Sequence, residues 1–254
     1  GYEEERELGA WNLPEEHLPF YVEYFNSYIF PNISKEFAKT TFPVKIYMIH
    51  NLRTEPRDFG EDSGEVGGTN TDPFKSITLG NFDNWAISFK DEVINGSDAE
   101  YSLRQQRCMF MIQAIYNAIE KGAIDSPDEF WTGYDFSSDK KMNNVDPSKA
   151  NYKYKLGFVD MINDNFGTGV QKQVWAPNYA NETSCYYWEK DKYPHYNLFT
   201  TYIKNAMWLT PEEFEARDPS STYPMVKEKY NIVVNHMLET YGIDLVGIAR
   251  GINR

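Results

Sequence analysis

Histidine and cysteine are scarce in this chain, and neither is spaced for chemistry. The 254 residues hold four histidines, His17, His50, His195 and His236, and two cysteines, Cys108 and Cys185. No two histidines lie within five residues, so no single helix offers an H-x-x-x-H pair to a metal. Two cysteines are too few for a disulfide framework, and a single bridge between them stays open. The G-x-S-x-G elbow, the P-loop and G-x-G-x-x-G are missing as well. No apolar run approaches the roughly 20 residues that a membrane helix needs. Basic excess is also lacking. The net charge is −13 and the pI about 4.8, which disfavours a nucleic-acid partner and adhesion to anionic lipid.

What is present is a chain of ordinary globular composition with many aromatics. Charged residues make up 25% and apolar residues 41%, as a soluble domain has. Residues 1–254 read as one domain, with no internal repeat and no dividing linker; 1–13 read as a flexible lead-in. The chain begins abruptly at Gly1, as a sequence does when a targeting segment has been removed. Three Asn-x-Ser/Thr triplets, at Asn32, Asn95 and Asn181, are of a kind frequent by chance.

Residues 102–122 carry the clearest period. Cys108, Met109, Ile112, Ile115, Tyr116 and Ile119 fall at helical spacing, which predicts a central helix with one face in a core. Earlier, 14–30 read as a helix and 34–40 as a short second one. Residues 42–50, 74–79 and 84–89 read as strands, the last two joined by a turn. The segment 51–73 reads as a long acidic loop that fits no EF-hand pattern, so a solvated loop is favoured over a calcium site. Residues 167–194 form a second irregular stretch, notable for Trp175, Tyr179, Tyr186, Tyr187, Trp188 and Tyr193. After it come helices at 196–207, at Thr210-Pro-Glu-Glu-Phe, at 223–241 and from Asp244 to about Arg250. Strands early and helices late read as α+β, with a small mixed or antiparallel sheet, a central helix and a mostly helical C-terminal half.

The isolated reactive residues have plain readings. Cys108 lies on the apolar side of its helix and reads as an inert buried thiol. His17 and His236 read as surface or interface side chains, and His50 as a structural or solvated histidine at a strand end. With 38 acidic residues, no glycosidase-type carboxylate pair can be picked out.

Three pieces carry a family resemblance: the tail with its break at Tyr241-Gly242-Ile243-Asp244-Leu245, TPEEFEA at 210–216, and Leu156-Gly157-Phe158-Val159. In this order, around a central helix, they resemble the zinc-binding metallopeptidase lipoproteins of Bacteroidetes-type bacteria. The resemblance implies a zincin-like fold and an H-E-x-x-H motif on the central helix, whose histidines bind zinc and whose Glu activates water. At the matching positions this chain has Ile112, Gln113 and Tyr116. A downstream acidic ligand is replaced by residues in the window 197–201, with Asn197 and Thr201 on offer. No histidine occurs between His50 and His195, so no shift of register restores the motif.

The expectation is therefore a degenerate, metal-free member with no catalytic residues and no zinc. Three functions follow. The first is a non-catalytic binding protein that takes peptide or glycan through the former cleft and an aromatic loop, with Trp175, Tyr186, Tyr187, Trp188, Tyr193 and His195 as contacts. The second is an active hydrolase with a different centre, in which His195 or His50 meets Glu182, Glu189 or Asp191. The third is a structural component of an outer-membrane uptake complex. The resemblance implies a cell-envelope lipoprotein of a Gram-negative bacterium, held to the outer membrane only through a lipid anchor outside this sequence. The aromatics read equally well as a satellite core under a long loop.

Overall fold

The computed structural model describes residues 8–54, 77–79, 84–96, 100–134, 141–164, 166, 170–171, 174–175, 180–181, 185–186, 197–217 and 221–251. In chain order its main elements are β1 (Leu8–Asn12), α1 (Leu18–Tyr24), α2 (Lys35–Thr41), β2 (Lys45–Thr54), β3 (Ile77–Leu79), β4 (Asn84–Ile87), α3 (Asp91–Ile94), α4 (Glu100–Glu120), α5 (Asp128–Trp131), α6 (Leu198–Trp208), α7 (Pro211–Arg217), α8 (Pro224–Tyr241) and α9 (Leu245–Arg250). The α+β class holds: a small sheet comes early and helices dominate the C-terminal half. The chain divides into two compact units. One comprises Gly1–Tyr24 and Pro43–Ser102, the other Phe25–Phe42 and Leu103–Arg254.

The first unit is built on a four-stranded sheet of order β1-β2-β4-β3. β2 lies parallel to β4 and antiparallel to β1, and β3 lies antiparallel to β4. The β3–β4 pairing, Leu79 opposite Trp85, is the hairpin expected from the sequence, although its turn lies outside the described residues. Residues 8–12, expected in a flexible lead-in, instead form β1. Their backbone completes the free edge of β2, with a bulge between Gly9 and Trp11. β2 runs on to Thr54, past the expected strand end at His50. The carboxylates considered for calcium, Glu55 onward, lie outside the described residues.

Phe89, fully buried, is the hub of this unit's core. The rings of Phe20, Tyr21 and Tyr24 from α1 meet it edge-on, with centroids at 5.1, 5.1 and 4.7 Å. The Tyr21 hydroxyl donates to Ile49 O at 2.9 Å and accepts from Phe89 N–H at 3.1 Å. One side chain thus ties the backbone of β2 to that of the segment after β4.

In the second unit, α4 departs from the expected single apolar stripe. Cys108, Ile112, Ile115 and Tyr116 are buried as expected, but so are Arg107, Phe110, Met111, Ala114 and Ala118. Met109 and Ile119, placed on the core stripe by their spacing, are only half-buried. A helix with core contacts around most of its girth is an internal helix, not a surface one. α6 is buried at every position from Leu198 to Trp208.

The caps follow the sequence closely. Ser34 Oγ accepts from Phe37 N–H at 3.1 Å at the start of α2. Thr210 and Glu213 form the reciprocal capping box of α7, with bonds of 3.2 and 2.8 Å. Asp244 caps α9 through Gly247 N–H at 2.9 Å. Between α8 and α9, Gly242 has φ +67°, and a Cβ there would come within 2.6 Å of Ser34 Cβ. That close approach lets Ser34 N–H donate to Gly242 O, and Asp244 N–H to Asn32 O, both at 2.8 Å.

Candidate functional site

The face of α4 that the family resemblance points to is closed and filled. Ile112 is fully buried and Tyr116 nearly so, while Gln113 is half-buried. α4 lies against α6: Cys108 Sγ donates to Met207 O at 3.1 Å, and Arg104 Nη1 to Trp208 O at 3.3 Å. Burial pushes the Cys108 thiol up to about 12, against the weaker pull of Arg107 and Arg104, so it stays protonated and unreactive. Cys108 is a free thiol.

Around Tyr116 the chain places a set of mutually bonded polar groups. The Tyr116 hydroxyl donates to Asp164 Oδ1 at 2.8 Å, and Lys204 Nζ of α6 donates to the same oxygen at 3.0 Å. Desolvation lowers the Lys204 pKa, and Asp164 opposes that shift by holding the ammonium. Close by in sequence, Asp160 joins Lys153 in a buried ion pair and accepts from the Tyr154 hydroxyl at 2.8 Å. Asn205 Nδ2 donates to Asp160 O at 2.9 Å and to Thr201 O at 2.8 Å, and its Oδ1 accepts from Arg217. Asn197 and Thr201, on offer for the downstream ligand, are spent on the start of α6. Asn197 Oδ1 accepts from Thr200 N–H at 2.9 Å, and Thr201 Oγ1 donates to Asn197 O at 2.8 Å.

These residues do not fit zinc. Ile112 has no donor atom, Gln113 carries an amide in place of a carboxylate, and the Tyr116 hydroxyl is committed to Asp164. What the arrangement does is lock α4, α6 and the Asp160–Asp164 segment together with charge-assisted hydrogen bonds.

An open cavity of about 350 Å³ lies elsewhere in this unit, lined by Ser34, Phe37, Thr41, Ala118, Ile124 and Tyr241 among others. None of Ile112, Gln113 and Tyr116 lines it.

Of the aromatic contact candidates, the structure describes only two, and only their backbone. Trp175 and Tyr186 lie opposite one another in a pair of short parallel strands, Val174–Trp175 and Cys185–Tyr186. Tyr187, Trp188, Tyr193 and His195 lie outside the described residues, as do Glu182, Glu189 and Asp191.

The histidines given plain readings are placed differently from one another. His236 is in the second unit, with Nε2 2.9 Å from Asp125 O. In the first unit, His17, His50 and Asp91 converge: one ligand atom from each lies within 4.8 Å of the others. This convergence was missed because no local spacing signals it. It depends on β2 pairing with β4, which brings the start of α3 beside the His50 end of β2.

Comparison with protein-family models, with curated proteins and with solved structures found no match.

Proposed function

We propose that this chain is a non-catalytic binding protein on a metallopeptidase-like scaffold. The observation that carries this reading is the Tyr116–Asp164–Lys204 cluster. It commits Tyr116, one of the three motif positions of the resemblance, to groups that bind one another, in a helix where Ile112 is fully buried. Water activation requires an open coordination position and a general base, and Ile112 and Gln113 supply neither. The zincin-like relationship rests on the three sequence pieces, and the α4–α6 packing is consistent with it. On this reading the protein is an envelope lipoprotein. It holds peptide or glycan through the aromatic segment that includes Trp175, Tyr186, Tyr187, Trp188 and Tyr193, because such rings stack on sugars and anchor interfaces at low entropic cost.

Peptide and glycan arrays probed with the purified chain test both halves of the reading. Retention of a ligand class by the wild type, lost in Tyr187→Ala/Trp188→Ala with unchanged thermal stability, supports it. Unchanged retention with lowered thermal stability assigns those aromatics to a core and rejects the binding surface. Peptide hydrolysis that zinc stimulates and Tyr116→Phe abolishes overturns the non-catalytic half.

A further inference from the structure

We propose that His17, His50 and Asp91 form a binding site for a divalent transition-metal ion of the zinc type, separate from α4. This departs from the expectation of a protein with no metal and no zinc.

Each ligand is held by a different element of the first unit. His17 ends the 3-10 turn Glu15–His17, whose last N–H donates to Pro14 O at 3.0 Å. His50 lies in β2, an interior strand of the sheet, in register with Trp11 of β1. Asp91 is the first residue of α3. Two of the three therefore sit on backbone already fixed by hydrogen bonds, the kind of support a metal site needs. The rings of His17 and His50 are 5.5 Å apart between centroids and tilted by 58°, so they converge without stacking. His50 Nδ1 lies 3.8 Å from Asp91 Oδ1, too far for a hydrogen bond. The Nδ1 atoms of both histidines are shut off from solvent and have no hydrogen-bond partner among the described residues. Buried ring nitrogens left in that state are costly, and a cation between them removes the cost.

The dimensions fit. Ligands about 2.1 Å from a tetrahedral ion stand about 3.4 Å apart. The three atoms here lie within 4.8 Å of one another, so closure needs about 1 Å of side-chain rotation. The Asp91 side chain, 59% exposed, is free to supply it. Two imidazoles and one carboxylate select zinc and its transition-metal neighbours over magnesium and calcium, which want more oxygen ligands. Three protein ligands leave the fourth position to water, on the exposed Asp91 side.

The test is isothermal titration of the metal-stripped full chain with zinc chloride, with magnesium and calcium chloride as comparison ions. One equivalent of zinc is expected to bind, with neither comparison ion doing so. His17→Ala, His50→Ala and Asp91→Asn should each weaken binding by about 10-fold or more. In the unsubstituted chain, proton NMR of the imidazoles keeps the test valid if a variant fails to fold: two of the four histidines should shift at one equivalent of zinc. No stoichiometric binding, or binding that survives His17→Ala/His50→Ala, overturns the site. So does zinc lost on His195→Ala alone, which would instead place a metal in the aromatic segment.

Discussion

The Tyr116 hydroxyl donates to Asp164 Oδ1 at 2.8 Å, on an oxygen that also takes Lys204 Nζ. The pair ties the middle of α4 to a segment 48 residues downstream. Tyr116→Phe keeps the ring and removes only the donor. A hydrogen bond to a charged acceptor is worth about 1.5–3 kcal/mol. Asp164 is about a third exposed, and water replaces part of the loss. The expected cost is about 1 kcal/mol, read as a lower urea midpoint with an unchanged slope. Asp164→Asn should cost more than Tyr116→Phe, because it also strips the buried Lys204 of its counter-charge.

Arg107 is 1% exposed and works as a clamp on the end of the chain. Its Nε donates to Ile248 O at 3.1 Å and its Nη2 to Ala249 O at 3.4 Å, both in the last turn of α9. The guanidinium also lies 5.1 Å from the Tyr28 ring centroid. Arg107→Ala removes both bonds and leaves a cavity, for an expected loss of about 3 kcal/mol. Arg107→Lys should recover less than half of it, since a single ammonium lacks the planar fork that reaches two carbonyls. Urea unfolding of the three proteins gives the comparison, and equal stability of Arg107→Lys and wild type would refute the clamp.

Much of this scaffold could be read from the sequence because its signals are local. Ser34, Thr210 with Glu213, and Asp244 are capping residues a few positions from the groups they satisfy. The Asn197–Thr200 box at the start of α6 went unread because its reciprocal partner is Thr, not the Glu or Gln that marks the motif. β1 was missed because LGAWN has no alternation; it is a strand only because β2 offers it an edge. The second buried side of α4 was hidden in the same way. Its helical period was plain, but Arg107 and Phe110 are inside because of what packs on them from far along the chain. The His17, His50 and Asp91 cluster is likewise a product of strand pairing and leaves no spacing pattern.

The Asp244 cap offers a direct check on the α8–α9 break. Its carboxylate accepts from Gly247 N–H while its own N–H reaches Asn32 O, so it serves as cap and as cross-link. Asp244→Ala removes only the first. The expected loss is about 1–2 kcal/mol, and Asp244→Asn or Asp244→Ser should restore most of it. If Asp244→Asn is as unstable as Asp244→Ala, the charge and not the cap geometry matters.

Two buried groups pull the stability in opposite directions at alkaline pH. Burial raises Cys108 from 9.0 to about 12, so its protonated thiol contributes stability that is complete below pH 9 and is lost as pH rises towards about 12. Lys204 is shifted the other way, below 10.5. Its folded form sheds the proton first, so its contribution is complete above 10.5 and is lost as pH falls through the lowered value. Between pH 9 and 10 the Cys108 slope is negative and that of Lys204 positive. One group contributes at most about 1.4 kcal/mol per pH unit. Tyr230, raised by burial from 10.0 to about 12, and Tyr21, raised by burial from 10.0, add negative slopes that grow towards pH 10. These slopes are common to the wild type and both variants, so the comparison between proteins isolates Cys108 and Lys204. Urea unfolding at pH 9.0, 9.5 and 10.0 separates the two. Cys108→Ala should make stability rise more steeply with pH than in the wild type, and Lys204→Met should make it fall. Thiol labelling in a Cys185→Ser background gives a second reading of the same burial. Cys108 should resist an aromatic disulfide reagent in the folded protein and react fully in denaturant, whereas prompt labelling at pH 8 without denaturant would show that the α4–α6 interface opens.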